Sequence, residues 1–150
     1  MRLSNFDPRR LPILLILLLA TACGNGVSTS DLQYLQGYWE IREVVFPDGN
    51  NKDYVVNPTI DYFNLDGTTG YRKKLQPNAD GTFQTSDDAL PLQVLERDGR
   101  FFLVFEGDEG SWEEEIEELR PGSLALRSPA GLLFEYARYE PLQIPGTDGP

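Results

Sequence analysis

The 150 residues include no histidine and a single cysteine, Cys23, and these two scarcities remove much of catalytic chemistry at once. Ser-His-Asp triads, Cys-His nucleophiles and zinc sites built on Cys and His cannot be assembled from this composition. Positive charge is also short: 13 Lys and Arg stand against 24 Asp and Glu, a formal charge of −11. A strongly acidic domain repels phosphate backbones, so nucleic acid is not an expected partner. The one greasy run is too short for the roughly twenty apolar residues that a spanning helix needs.

What is present begins with that run, Leu11 to Ala20, behind Arg2, Arg9 and Arg10 and ahead of Ala20-Thr21-Ala22-Cys23. A basic start, about ten apolar residues and small residues before a cut are the three parts of a secretory signal. Ala20-Thr21-Ala22-Cys23 resembles the lipobox of bacterial lipoproteins, with Ala20 where Leu is usual. The resemblance implies that residues 1–22 are removed, that the Cys23 sulfur receives diacylglycerol, and that a lipid bilayer is a partner. Residues 1–22 hold three Arg against Asp7, and taking that +2 from −11 leaves −13 on the mature part. About 128 residues remain, enough for one ordinary domain. Gly24-Asn25 lacks the Asp common after the cysteine of inner-membrane lipoproteins in enteric bacteria, and the acidic cluster resembling a surface-export signal is missing. The expected location is therefore the periplasmic face of the outer membrane.

Residues 23–34 read as the lipidated cysteine and its tether, with Ser30 to Leu35 able to form one helical turn capped by Ser30 or Asp31. Gly37 to Phe46 is rich in aromatic and β-branched residues and ends at Pro47-Asp48-Gly49, which makes it a first strand. Asp-Gly pairs recur at 48–49, 66–67, 80–81 and 98–99, and Asp-Gly tolerates the positive φ angles of tight hairpin turns. Between these and later breaks lie strand-length segments at 59–65, 68–75, 82–85, 90–97, 100–106, 123–127 and 132–139. Strands joined in order by short turns form antiparallel neighbours, so the expected fold is all-β, an up-and-down meander of about eight or nine strands closed into a barrel over 35–140. Residues 141–150 read as a disordered tail.

Alternation turns Trp39, Ile41 and Val45 to one side of the first strand and Glu40 and Arg42 to the other. Leu132, Phe134, Tyr136 and Arg138 share a side of the last. Phe101 to Phe105 is apolar on both faces, so something covers its outer side or it lies centrally. Local rules favour a helix at 111–119, because Ser111 to Glu114 has capping-box spacing and Trp112, Ile116 and Leu119 fall on one helical stripe. A meander that lost this segment would expose two edges, and we read it as a strand.

Gly37-Tyr38-Trp39 has the Gly-x-Trp of the lipocalins. With Tyr62-Phe63 before Asp66-Gly67, Ile116 and Leu119 followed by Leu124 to Arg127, and the aromatic final strand, the chain resembles the small lipocalin-like lipoproteins of Bacteroidetes-type bacteria. The resemblance makes Gly37, Trp39 and Arg138 structural positions: the tryptophan at the closed end of the barrel, a basic residue packed over it. Trp39 as ordinary core with Arg138 merely exposed is the alternative.

With no histidine, an enzyme would work with carboxylates, and no pair among Asp87-Asp88, Glu106, Asp108-Glu109 and the acids from Glu113 to Glu118 stands out. Such runs are usually solvated faces, the spacing of a calcium loop is absent, and no catalytic residue, metal or cofactor is called for. In so acidic a chain, Arg72-Lys73-Lys74 reads as neutralising neighbouring carboxylates and not as binding an anion. The barrel interior is the better candidate. Tyr62, Tyr71, Phe101, Phe105, Phe134 and Tyr136 either wall an apolar pocket or pack as core, since about eight strands can hold one small ligand or be filled by side chains. Three functions follow: a membrane-tethered binder of a small apolar or amphipathic ligand, an envelope lipoprotein with a filled barrel and a protein partner, or a carboxylate hydrolase.

Overall fold

The computed structural model describes residues 26–55, 57–85 and 88–140. The apolar run, Cys23, Asp87 and the segment from 141 onward lie outside them. A 3-10 turn, Thr29–Tyr34, leads into ten strands: β1 Gly37–Val45, β2 Asn51–Asp53, β3 Ile60–Asp66, β4 Thr69–Pro77, β5 Phe83–Thr85, β6 Leu90–Arg97, β7 Arg100–Gly107, β8 Gly110–Leu119, β9 Ser123–Arg127 and β10 Leu133–Arg138. Eight of them pair antiparallel in the circuit β1-β3-β4-β6-β7-β8-β9-β10, and β10 returns to β1 to close the barrel. The short β2 adds to β1, and β5 adds to β4 beyond the point where β6 leaves it.

The hairpin signals work as Asp-Gly chemistry dictates. Gly49, Gly67, Gly81 and Gly99 all have positive φ, and Asp98 joins Gly99 there at φ 55, the two-residue geometry that matches the twist of flanking strands. One end of the barrel gathers the 3-10 turn and the turns at Gly67, Asp98-Gly99 and Pro121-Gly122. The other gathers the connections after β1, β4, β7 and β9, of which only that after β7, Asp108-Glu109, is a two-residue turn.

Residues 111–119 are strand, and pairing explains why helix rules also fit them. Phe101, Leu103 and Phe105 face Ile116, Glu114 and Trp112 across β7–β8, and the register of β8 on β9 shifts between Ile116 and Glu118. This bulge brings Leu119, three residues after Ile116, back to the inner side, where both are buried. A second bulge, between Ile41 and Glu43, does the same on β1: Val44 turns inward opposite Phe134, and Val45, expected inside, does not. The outer side of β7 is covered as its two-sided apolarity requires. Phe102 is buried beneath the guanidinium groups of Arg97 and Arg100, at 4.2 and 5.5 Å from its ring centroid. These arginines pair in turn with Glu113 and Glu115, and Arg127 with Glu117, so these three acids of β8 form an ion-paired outer face.

Candidate functional site

The closed end is built first by the 3-10 turn. Ser28 caps it, not Ser30 or Asp31: Asp31, at the third position, accepts from the Ser28 backbone N–H at 2.9 Å and its hydroxyl at 2.6 Å. Those hydrogen bonds hold the Asp31 pKa below the usual carboxylate value. Val27, Leu32 and Leu35 pack on the core, so the expected tether joins the domain from Val27 onward. Trp39 is fully buried and donates from Nε1 to the Leu35 carbonyl at 2.9 Å.

Above the indole lies Arg138, its guanidinium carbon 3.8 Å from the ring centroid. The same group donates to three carbonyls: Pro121 from Nε at 3.0 Å, Gln36 from Nη1 at 2.7 Å and Tyr34 from Nη2 at 2.5 Å. One side chain thus ties the helical turn, the β8–β9 turn and β10 over the buried indole. Gly37 makes room for it: its φ is +116, and a Cβ there would stand 2.8 Å from Arg138 Nη1. The architecture is lipocalin-like.

In this lipocalin-like barrel, residues facing Trp39, Phe63 and Leu103 across the ladders define the inner wall. Phe101, Phe105, Phe134 and Tyr136 stand on it. Tyr62 and Tyr71 do not. Their neighbours Asp61, Phe63 and Arg72 point inward, and Tyr62 and Tyr71 join Tyr38, Phe83 and Tyr139 in a chain of ring contacts on the outer side. As pocket-lining residues they are corrected by strand parity: the expectation took aromatic type as the guide where side-chain period decides.

The inner wall is graded along its axis. Trp39, Phe63 and Leu124 near the 3-10 turn, with Leu103 further up, are at most 1% exposed and form a packed floor, and Leu126, opposite Phe134 toward the other end, is as fully buried. Toward the open end Ile41, Leu90, Trp112 and Phe134 remain partly exposed, while Phe105 is buried against Trp112, their rings stacked at 5.3 Å.

Between floor and mouth sits a charged group that composition did not single out. Asp61, 2% exposed, faces Lys74 across β3–β4, and Lys74 Nζ lies 2.5 Å from Oδ1 but off the hydrogen-bond direction, an ion pair without an aligned bond. The Tyr136 hydroxyl is set against the same carboxylate. Burial first, and the Asp61 charge second, push its pKa well above the ordinary phenol value, so it stays protonated as a donor. Arg72 Nη1 lies 3.4 Å from Glu114 Oε2, with its guanidinium carbon 4.3 Å from the Phe105 ring centroid, and Trp112 Nε1 lies 3.4 Å from Glu114 Oε1. Arg72 and Lys74 thus neutralise carboxylates, as their setting in an acidic chain suggests. What the sequence hides is that these carboxylates are inside. The available signal was parity: Asp61 alternates with Phe63, and Arg72 with Lys74, opposite to Tyr71 and Leu75.

No family model and no curated protein matches the chain. Among solved structures it is similar to a lipocalin-like protein from Bacteroides uniformis, at 16% identity and TM-score 0.46, over 71% of this chain and 99% of that one. An uncharacterized protein from Bacteroides eggerthii matches at 16% identity and TM-score 0.46, over 70% and 99% of the two chains. Lobster apocrustacyanin A1 matches at 16% identity and TM-score 0.48, over 77% and 67%.

Proposed function

We propose that this protein binds a small apolar or amphipathic molecule in the open half of its barrel, while tethered to the cell envelope through an acylated Cys23. The observation that carries the binding reading is the graded inner wall. A sealed floor below partly exposed Ile41, Leu90, Trp112 and Phe134 is the arrangement that a cup open at one end requires. Native mass spectrometry of protein purified from its own membrane tests it: a retained small molecule that leaves on denaturation is the expected result, and repeated recovery of only the bare chain speaks for a filled barrel. A non-enzymatic role for the cup belongs to the same proposal, since its two inner carboxylates, Asp61 and Glu114, each stand beside their own cation, whereas glycoside hydrolysis there needs one carboxyl free to carry a proton.

The tether and the periplasmic face of the outer membrane rest on the residues around Cys23. Two acyl chains anchor stably where one does not, at about 0.8 kcal/mol per buried methylene. Fatty-acid labelling should mark the wild-type chain and not Cys23→Ser, and label kept by the variant removes the anchor. A second reading, an envelope protein that docks a partner on its outside, draws on the Tyr38, Tyr62, Tyr71, Phe83 and Tyr139 ring chain.

A further inference from the structure

Arg72 has more hydrogen-bonding capacity than its neighbours use. Its side chain is only 13% exposed, yet Glu114 Oε2, at 3.4 Å, is its one hydrogen-bond partner among the described residues. A guanidinium carries five N–H donors in a fixed fork and no acceptor, and buried donors rarely stay unpaired. Among the described residues the only buried side-chain nitrogen or oxygen without a hydrogen-bond partner is Asp61 Oδ1. The remaining Arg72 N–H groups therefore touch water, and because Arg72 stands on the inner wall over Phe105, they touch it inside the barrel.

Charge decides what could replace that water. Arg72 and Lys74 are matched one for one by Glu114 and Asp61. An incoming anion would find no uncommitted cation in the group and would stand beside two carboxylates, in a chain whose formal charge is already −11. An ammonium would meet the two cations. An uncharged acceptor takes the spare N–H groups without disturbing either pair. Resting on the ligand-binding reading above, we propose that the cup selects an amphipathic molecule whose polar end is a neutral hydrogen-bond acceptor, a hydroxyl or carbonyl, held by the free N–H groups of Arg72. Its apolar body lies against the partly exposed Trp112 and Phe134.

The test is competition for a bound neutral fluorophore on the full chain, using molecules of one chain length that end in methyl, alcohol, ketone or carboxylate. Alcohol and ketone are expected to bind at least about tenfold more tightly than methyl and carboxylate, about 1.4 kcal/mol by the affinity relation. Arg72→Met leaves Glu114 without its cation and risks misfolding, so Arg72→Met/Glu114→Gln, which removes both charges, is measured beside it. In that double variant the preference for alcohol and ketone over methyl should fall to within about threefold, and a preference kept at about tenfold overturns the assignment to Arg72. Carboxylate binding tightest, or alcohol and methyl binding equally to the wild type, overturns the headgroup assignment and leaves the cup standing. Failure of every member to displace or bind overturns the cup, and this inference with it.

Discussion

Arg138 concentrates more structure than any other side chain in the barrel: one stacking contact and three carbonyl hydrogen bonds reach the helical turn, β1 and the β8–β9 turn from β10. A guanidinium over an indole is worth about 0.5–2 kcal/mol, and hydrogen bonds from a charged donor about 1.5–3 kcal/mol each where they are fully made. Arg138→Ala should therefore lower stability by about 2–4 kcal/mol in a denaturant melt. Arg138→Lys should lose most of the same amount, because an ammonium cannot present the planar fork. Gly37→Ala should cost about 1–3 kcal/mol through its φ of +116 alone. Combining it with Arg138→Ala should give less than the sum, since the added methyl then meets nothing. Additive losses would show that the close approach does not matter. Glu135 runs the other way. Burial first, and the neighbouring Glu43 and Glu118 charges after it, raise its pKa above the usual carboxylate value. The folded state then holds this proton more tightly than the unfolded one, so stability falls as pH rises from the unfolded carboxyl range through the raised pKa. Glu135→Gln should stabilise modestly at neutral pH, by under about 1 kcal/mol, with the gain fading on acidification toward about pH 4. A gain that persists unchanged at low pH would show that charge is not the cause.

Among the elements, the strands and hairpins were legible in the sequence because Asp-Gly turns and period-2 alternation are local signals, and nearly every boundary fell within two residues. Two things were not legible. β2, Asn51–Asp53, is exposed along its whole length and has no apolar residue to announce it. The bulges were hidden for a different reason: they depend on which strand lies opposite, and a bulge turns the spacing of two inward residues from two into three, the spacing of a helix. Ile116 and Leu119, like Ile41 and Val44, are such pairs. Tyr62 and Tyr71 were placed inside for another reason, residue type being followed over parity, and charge ranked Asp61 and Glu114 as outer although the alternation with Phe63 and Trp112 turns them inward. A deletion pair checks this account of β8. Removing Glu117, which lies in the bulge, keeps Leu119 facing inward and costs the Arg127 pair, so it should lower stability by about 1 kcal/mol. Removing Glu115 from the regular part of the same strand reverses the facing of the residues on one side of it. That should cost more than about 3 kcal/mol or prevent folding. Equal effects in urea melts would mean that the shift in register is not what lets Leu119 return to the core.

For the molecule as a whole, closure is the feature on which both the cup and its floor depend. β10 pairs along its length with β1, from Trp39 opposite Arg138 to Val45 opposite Leu133, and on its other side with β9. It also carries Phe134, Tyr136 and Arg138, one residue each for the mouth, the charged group and the seal. A chain ending at Pro129 loses all three together and leaves β1 and β9 with unpaired backbone edges. Trp39 would lose the cation above it and part of the packing that keeps it dry, in a domain whose stability is typically about 5–15 kcal/mol. The fragment is therefore expected to aggregate or to show no cooperative denaturant transition, whereas a chain ending at Glu140, which keeps every described strand, should melt within about 1 kcal/mol of the full protein. Tryptophan emission provides a second readout: Trp39 should shift to the red in the fragment ending at Pro129 and stay blue in the chain ending at Glu140. A cooperative melt with blue emission in the shorter fragment would mean that the floor holds without β10, and the cup would then have to be enclosed by an open sheet instead of a barrel.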